Sequence, residues 1–167
     1  PNIYSTVELN KGIVTHASIK MSHDGWSLDL NEVFSAVTDR TKAIFVNTPG
    51  NPTGWIMPEE DQKSLVEFAR EKNIWLISDE VYETQIWSSR HISPRSLPNM
   101  QERTLVIGSM SKSHAMTGSR IGWVVGPADM ISYLTDFATN TTYGVPGFIQ
   151  EAALFALAQG VKFEEKI

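Results

Sequence analysis

Three short apolar runs constrain this chain more than anything else in it: Lys42-Ala-Ile-Phe-Val46, Asn73-Ile-Trp-Leu-Ile-Ser78 and Thr104-Leu-Val-Ile-Gly108. Each has strand length, is rich in branched residues and lacks polar alternation, which predicts strands buried in a parallel sheet. Helical signals are interleaved with them. Asp29-Leu-Asn-Glu32 matches a capping box, and Leu30, Val33, Phe34 and Val37 follow at helical spacing. Pro58-Glu-Glu-Asp61 opens a second helix with proline at its first position and acids in its first turn, closed by Arg70 and Lys72. On that helix Leu65, Phe68 and Ala69 form the inward face, while Glu67, Arg70 and Glu71 look outward. Strand, helix and strand in alternation require crossover connections, and these are right-handed and build a mostly parallel α/β sheet.

The flanking segments are read in the same way. Gly12 to Ile19 mixes branched and small residues and predicts another strand. Ile121-Gly-Trp-Val-Val125 predicts one more, Met130 to Phe137 a helix, and Asn140 to Gly147 a break. Phe148 to Gln159 reads as a helix that is apolar nearly all round, with Gly160 where a C-terminal cap belongs; such a helix must be covered on more than one side. Ile92 to Pro98 reads as a surface loop. His16 and His23 lack the spacing of a metal site and read as structural. Trp87 and His91 either border the site or pack locally, with packing favoured, and Glu80 and Glu83 read as ordinary polar residues.

Composition closes off other classes. With 167 residues the chain holds one domain with a real core, and its 41% hydrophobic and 20% charged residues are ordinary for a soluble globular protein. A net charge of -5 gives no basic patch for nucleic acid. The absence of cysteine removes disulfides, thiolate metal sites and a cysteine nucleophile. No stretch approaches a membrane span and no signal-peptide pattern opens the chain, so a cytoplasmic location is expected. The chain begins at Pro1 without methionine and ends at Ile167 soon after a helix, as expected of a piece of a longer protein.

The chemistry is expected where the strands end, because open α/β sheets bind ligands beyond the carboxyl ends of their strands. The first strand runs into Asn47-Thr-Pro-Gly-Asn-Pro-Thr-Gly54, whose prolines can aim Asn51 as a hydrogen-bond donor or simply make a turn. The second ends in Asp79-Glu-Val-Tyr82. An aspartate there is costly unless a cation or strong donors meet it; a protonated pyridine nitrogen is such a cation, and Tyr82 can turn its hydroxyl to the same ligand, or else Asp79 is simply a helix cap and Tyr82 a core aromatic. The third leads into Ser109-Met-Ser-Lys-Ser-His-Ala-Met-Thr-Gly-Ser-Arg-Ile-Gly-Trp123, which sets Lys112 between small hydroxyl residues and Arg120 eight positions on. Ser109, Ser111 and Arg120 are the group types that hold a phosphate dianion. A lysine beside a phosphate site suggests a Schiff base to an aldehyde cofactor that carries a phosphate, a description that pyridoxal phosphate fits. To attack an aldehyde the lysine must shed its proton, which takes burial or neighbouring positive charge.

Taken together and in order, Asn51-Pro-Thr-Gly54, Ser78-Asp-Glu-Val-Tyr82, and Ser109-Met-Ser-Lys112 through Gly118-Ser-Arg-Ile-Gly-Trp123 resemble the class I and II aminotransferases of the fold type I pyridoxal phosphate enzymes. The resemblance runs from about Gly12 to Gly160. It implies a three-layer α/β/α large domain whose Ile121 to Val125 strand runs antiparallel to the others. It implies Lys112 as the Schiff-base lysine and the acid/base at the amino-acid α-carbon, Asp79 on the pyridine nitrogen, and Asn51 and Tyr82 on the ring hydroxyl oxygen. Ser109 and Arg120 would hold the phosphate, with Ser111 near it. No metal is called for. Amino acids and 2-oxo acids are the implied substrates, and a homodimer the implied assembly, with the Thr141 to Gly147 loop in a region that often faces the neighbouring subunit. An N-terminal segment and a C-terminal small domain have no counterpart here, so residues 1–167 are expected to be the central part of the large domain, inactive when isolated. A carbon-sulfur lyase would keep the same lysine and aspartate, and the sensor domain of a transcription regulator can borrow the same fold.

Overall fold

The computed structural model describes residues 2–87, 90–98 and 101–160. Two compact units divide the chain between Thr41 and Lys42.

The first unit holds helix α1 (Asn2–Leu9), a two-stranded antiparallel hairpin of β1 (Lys20–Ser22) and β2 (Gly25–Ser27), and helix α2 (Leu30–Ala36). Here the sequence misled in one place. The Gly12 to Ile19 run, expected as a strand, has no regular structure, and pairing begins only at Lys20. Branched residues favour a strand only where a neighbour strand and a surface to pack on are available. The Asp29 carboxylate caps α2 by accepting from the Asn31 amide at 2.9 Å, while Glu32, the other half of the expected capping box, pairs with Lys20 instead. His16 meets the Tyr4 ring edge-on with centroids 4.5 Å apart, a packing role, and His23 is exposed beside Asp24.

The second unit is built on a four-stranded sheet of β3 (Ala43–Asn47), β4 (Trp75–Asp79), β5 (Thr104–Ser109) and β6 (Gly122–Val125), in that spatial order. Strands β3, β4 and β5 are parallel, and β6 runs antiparallel to β5. This is the mostly parallel α/β arrangement expected. The long connection from β3 to β4 carries α3 (Glu59–Glu71), whose Leu65, Val66 and Ala69 are buried and whose Phe68 is half-buried. Pro58 sits one residue before the helix, where its missing N–H costs nothing.

Burial is one-sided. Leu76 and Ser78 on β4, and Thr104 and Val106 on β5, are closed off, whereas the alternate residues Trp75, Ile77, Asp79, Leu105 and Ile107 are half-covered. Two-residue periodicity puts these sets on opposite faces. The runs read as buried on both faces are therefore fully buried on one. Helix α4 (Met110–Ser113) is a single turn after β5, and α5 (Ala128–Thr141) and α6 (Gly147–Ala158) follow β6. Ala153 and Ala156 of α6 bury Met110, with Met116 and Ile121 against the same cluster. Gly160 adopts the left-handed backbone of a helix terminus, φ 59°. The Ile92 to Pro98 stretch is not a plain surface loop: it contains a 3-10 turn over Pro94–Ser96, with Pro94 and Leu97 buried.

Candidate active site

Every residue singled out for chemistry lies at the carboxyl ends of β3, β4 and β5 or the start of β6. The register sets Asn47 opposite Asp79 and Asp79 opposite Ile107, so β3 and β4 finish level while β5 runs two residues further, to Ser109. Two hydrogen bonds tie the first pair of ends together, because the Thr48 amide and the Asn47 side-chain amide both donate to the Asp79 carbonyl, at 3.1 and 3.2 Å.

The loop after β3 is folded on itself. The Gly50 amide donates to the Trp55 carbonyl, and the fully buried Thr48 hydroxyl accepts from the Met57 amide at 2.9 Å. The Asn47 side chain in turn accepts from the Asn51 amide at 2.9 Å. Held in this way, Asn51 donates through Nδ2 to the Tyr82 hydroxyl at 3.0 Å, across 31 residues of sequence.

Lys112 lies in α4, which Ser109 caps: the Ser109 hydroxyl accepts from the Ser111 amide at 3.1 Å. The same hydroxyl donates to the Ile121 carbonyl at 3.2 Å, so β5 and the start of β6 are joined at this residue. Nζ of Lys112 stands 5.6 Å from the centroid of the Tyr82 ring, a cation–π distance. The Asn51–Tyr82–Lys112 chain thus links the ends of all three parallel strands.

Asp79 is half-buried, and its carboxylate accepts only the Val81 amide at 3.3 Å, with no cation paired to it among the described residues. Burial pushes its carboxyl above the ordinary range; the Val81 hydrogen bond pulls it down, and the neighbouring Glu80 carboxylate pushes it up again. On the other side of β5, Ser109, Ser111, Arg120, Gly122 and Trp123 line a concavity of about 400 Å³. Arg120 takes a left-handed backbone there, φ 51° and ψ 46°, uncommon for a residue with a side chain. One guanidinium nitrogen donates to the Thr117 carbonyl, and no carboxylate is paired with it among the described residues. A second concavity of about 330 Å³, beyond β3 and β4, is lined by Asn51, Tyr82, Gln85, Ile86 and Trp87.

The expected residues therefore fall into two groups, Asn51 with Tyr82 and Ser109 with Ser111 and Arg120; Asp79 ends β4, the strand that leads to Tyr82, and Lys112 lies in the turn that Ser109 caps. Gln85, which the sequence did not single out, and Glu80 and His91, given no role in the chemistry, have defined partners here. The Gln85 amide donates to the Lys112 carbonyl at 3.3 Å, tethering the lysine turn to the segment that bears Tyr82. Glu80 is 1% exposed, and His91 Nε2 lies 3.1 Å from its Oε2. The one signal for Glu80 was its place next to Asp79 at a strand end; nothing local marked Gln85 or His91.

The donor set fits a phosphorylated pyridine aldehyde: a nucleophilic amine, a carboxylate with no cation paired to it among the described residues, a phenol held by an amide, and hydroxyls with a guanidinium around one hollow. The fold and this set define a member of the aminotransferase class I and II family, to which the chain belongs, the family's model matching residues 1–166. Members of that family depend on pyridoxal phosphate. Among relatives, the arginine–pyruvate transaminase AruH of Pseudomonas aeruginosa is 45% identical over 136 residues, 81% of this chain and 35% of that protein. The aspartate aminotransferase of Geobacillus stearothermophilus is 41% identical over 72% of this chain and 31% of its own length. A mutant of Thermus thermophilus aspartate aminotransferase superposes with a TM-score of 0.90 at 34% identity, over 96% of this chain and 42% of that one. The chain thus spans about a third of the length of the curated relatives it matches.

Proposed function

We propose that the protein is a pyridoxal phosphate-dependent aminotransferase that moves an amino group between an amino acid and a 2-oxo acid, and that residues 1–167 are the central part of its cofactor-binding large domain. The observation that carries this reading is Lys112 Nζ over the ring of Tyr82, whose hydroxyl Asn51 holds, beside an aspartate without a cation.

Pyridoxal phosphate, when bound, supplies an aldehyde that condenses with amines and a ring that accepts electrons from the substrate α-carbon. In this reading the residues divide the remaining work. Lys112 Nζ is the attachment point and the base that takes and returns the α-proton. The Asp79 carboxylate keeps the ring nitrogen protonated, and its raised pKa reflects the burial that such an ion pair would offset. Tyr82 and Asn51 hold the ring hydroxyl oxygen. Ser109 and Arg120 hold the phosphate, with Ser111 beside them, in the hollow they line. A homodimer in the cytoplasm is the assembly we propose. The exposed apolar residues of α5 and α6 support a covering partner, and no described helix is long and apolar enough to cross a membrane.

The test is mass spectrometry of the complete protein after incubation with pyridoxal phosphate, borohydride reduction and peptide mapping. One adduct, on Lys112, is expected, and Lys112→Ala should lose it together with transaminase activity. An adduct retained by the Lys112→Ala protein on another lysine would sink the assignment.

A further inference from the structure

Asp79 and Glu80 are consecutive acids at the end of β4, and strand alternation sends them to opposite faces of the sheet. Asp79 emerges on the half-covered face and Glu80 on the closed one, 1% exposed. A carboxylate so buried demands a partner. Ser93 donates to Oε1 at 3.0 Å, and His91 Nε2 lies 3.1 Å from Oε2, with the His91 side chain only 5% exposed. Among the described residues, neither ring nitrogen of His91 nor Oε2 of Glu80 has an aligned hydrogen-bond partner, so the two groups meet by close approach alone.

Among the described residues, no other charge is placed to serve. Continuing the register, β5 offers Gly108, which has no side chain, and β3 offers Thr48, whose hydroxyl is taken by the Met57 amide. Helix α3 buries Gln62, Leu65, Val66 and Ala69, none charged. From the 3-10 turn, Arg95 reaches the Thr104 carbonyl at the opposite end of the sheet, four residues or about 13 Å down the strand. The other buried imidazole, His114, sits with Ser113 at 2.8 Å.

Resting on the cofactor role proposed for Asp79, we infer that His91 is the partner that neutralises the buried Glu80 carboxylate. Asp79 then carries the only net negative charge at the end of β4 and stays ionised for the cofactor's ring nitrogen. His91 acts through Asp79 and is a positioning residue. Without it, an unpartnered Glu80 carboxylate one residue away would act on Asp79 undiminished and raise its carboxyl, the direction in which a neighbouring negative charge works. Removing His91 alone leaves a buried carboxylate without its partner, whereas removing both does not, so the single and double variants have different consequences.

The inference is tested by a double-mutant cycle in the complete, cofactor-loaded protein, reading the pyridine-nitrogen 15N chemical shift of bound 15N-labelled pyridoxal phosphate and the affinity of the apoprotein for pyridoxal phosphate. His91→Gln keeps a donor near Glu80 and removes the titratable ring. It should move the 15N shift toward the unprotonated position and weaken affinity about tenfold. Glu80→Gln should leave both close to wild type, and the double variant should recover most of the loss, which a merely structural role of His91 would not allow. If His91→Gln does not fold, His91→Phe enters the same cycle. A double variant as impaired as the single one, or a His91 variant with wild-type shift and affinity, overturns the inference. A wild type that takes up no pyridoxal phosphate on Lys112 overturns the cofactor reading and this inference with it, so the two failures are distinct.

Discussion

Asp79 shows how a functional residue departs from what stability alone would choose. Its carboxyl is held above its ordinary value of 3.8, first by burial. A carboxyl raised in the folded state contributes stability that is fully present below the unfolded value and is lost as pH rises through the folded one. At neutral pH the cofactor-free protein therefore carries a half-buried carboxylate at a cost. Asp79→Asn should raise the thermal midpoint of the apoprotein at pH 7, and the gain should vanish below about pH 4, where the carboxyl is protonated in both states. Adding pyridoxal phosphate should reverse the order, because the wild type binds it more tightly and ligand binding stabilises the folded state. Thermal unfolding between pH 4 and 8, with and without cofactor, checks both halves. A lower apoprotein midpoint for Asp79→Asn at pH 7 would mean that the carboxylate already has a strong partner.

At the scale of elements, β6 is pressed against β5 at two glycines. A Cβ added to Gly122 would stand 2.7 Å from the Gly108 carbonyl oxygen, a backbone atom that cannot move without opening the strand pair. Gly122→Ala should cost about 1–3 kcal/mol in urea unfolding. It should also weaken binding of pyridoxal phosphate, since Gly122 lines the hollow with Ser109 and Arg120. An unfolding midpoint unchanged from wild type would show that the pair is looser than its register implies. The elements themselves were largely legible in the sequence. Apolar runs at strand length and helices with acids at their starts are local signals, and β3, α3, β4, β5, β6, α5 and α6 appear where those signals stand. Residues 12–19 were misread because a strand needs a partner that no local pattern reveals. The same limit applies to the site. Asn51, Asp79, Tyr82, Ser109, Lys112 and Arg120 lie in recognisable strand-end motifs. Gln85 earns its place only through a carbonyl 27 residues away, and His91 only through a buried carboxylate 11 residues back.

Across the whole molecule, the pattern of exposure ties the fold to its context. Phe137, Phe148, Leu154, Phe155 and Leu157 on α5 and α6 are each more than half exposed, and Trp123, Val124 and Val125 leave β6 uncovered. Helix α6 buries only Ala153 and Ala156, although almost all of its residues are apolar. A helix of that composition is built to be covered on more than one side, and the chain spans about a third of the relatives' length. The proposal that more of the protein, or a second copy, closes over α6 has a direct energetic consequence at Phe155. If Phe155 stays in solvent, as its 67% exposure here would have it, Phe155→Ala belongs with surface substitutions and changes stability by no more than about 0.5 kcal/mol. If the residue is covered in the complete protein, the same substitution removes a buried aromatic ring and costs about 3–5 kcal/mol. We expect the larger loss in chemical unfolding of the complete protein. We also expect it to grow with protein concentration if the cover is a second copy, because dissociation then becomes part of unfolding. A loss below 0.5 kcal/mol at every concentration would leave α6 uncovered and the covering partner without support.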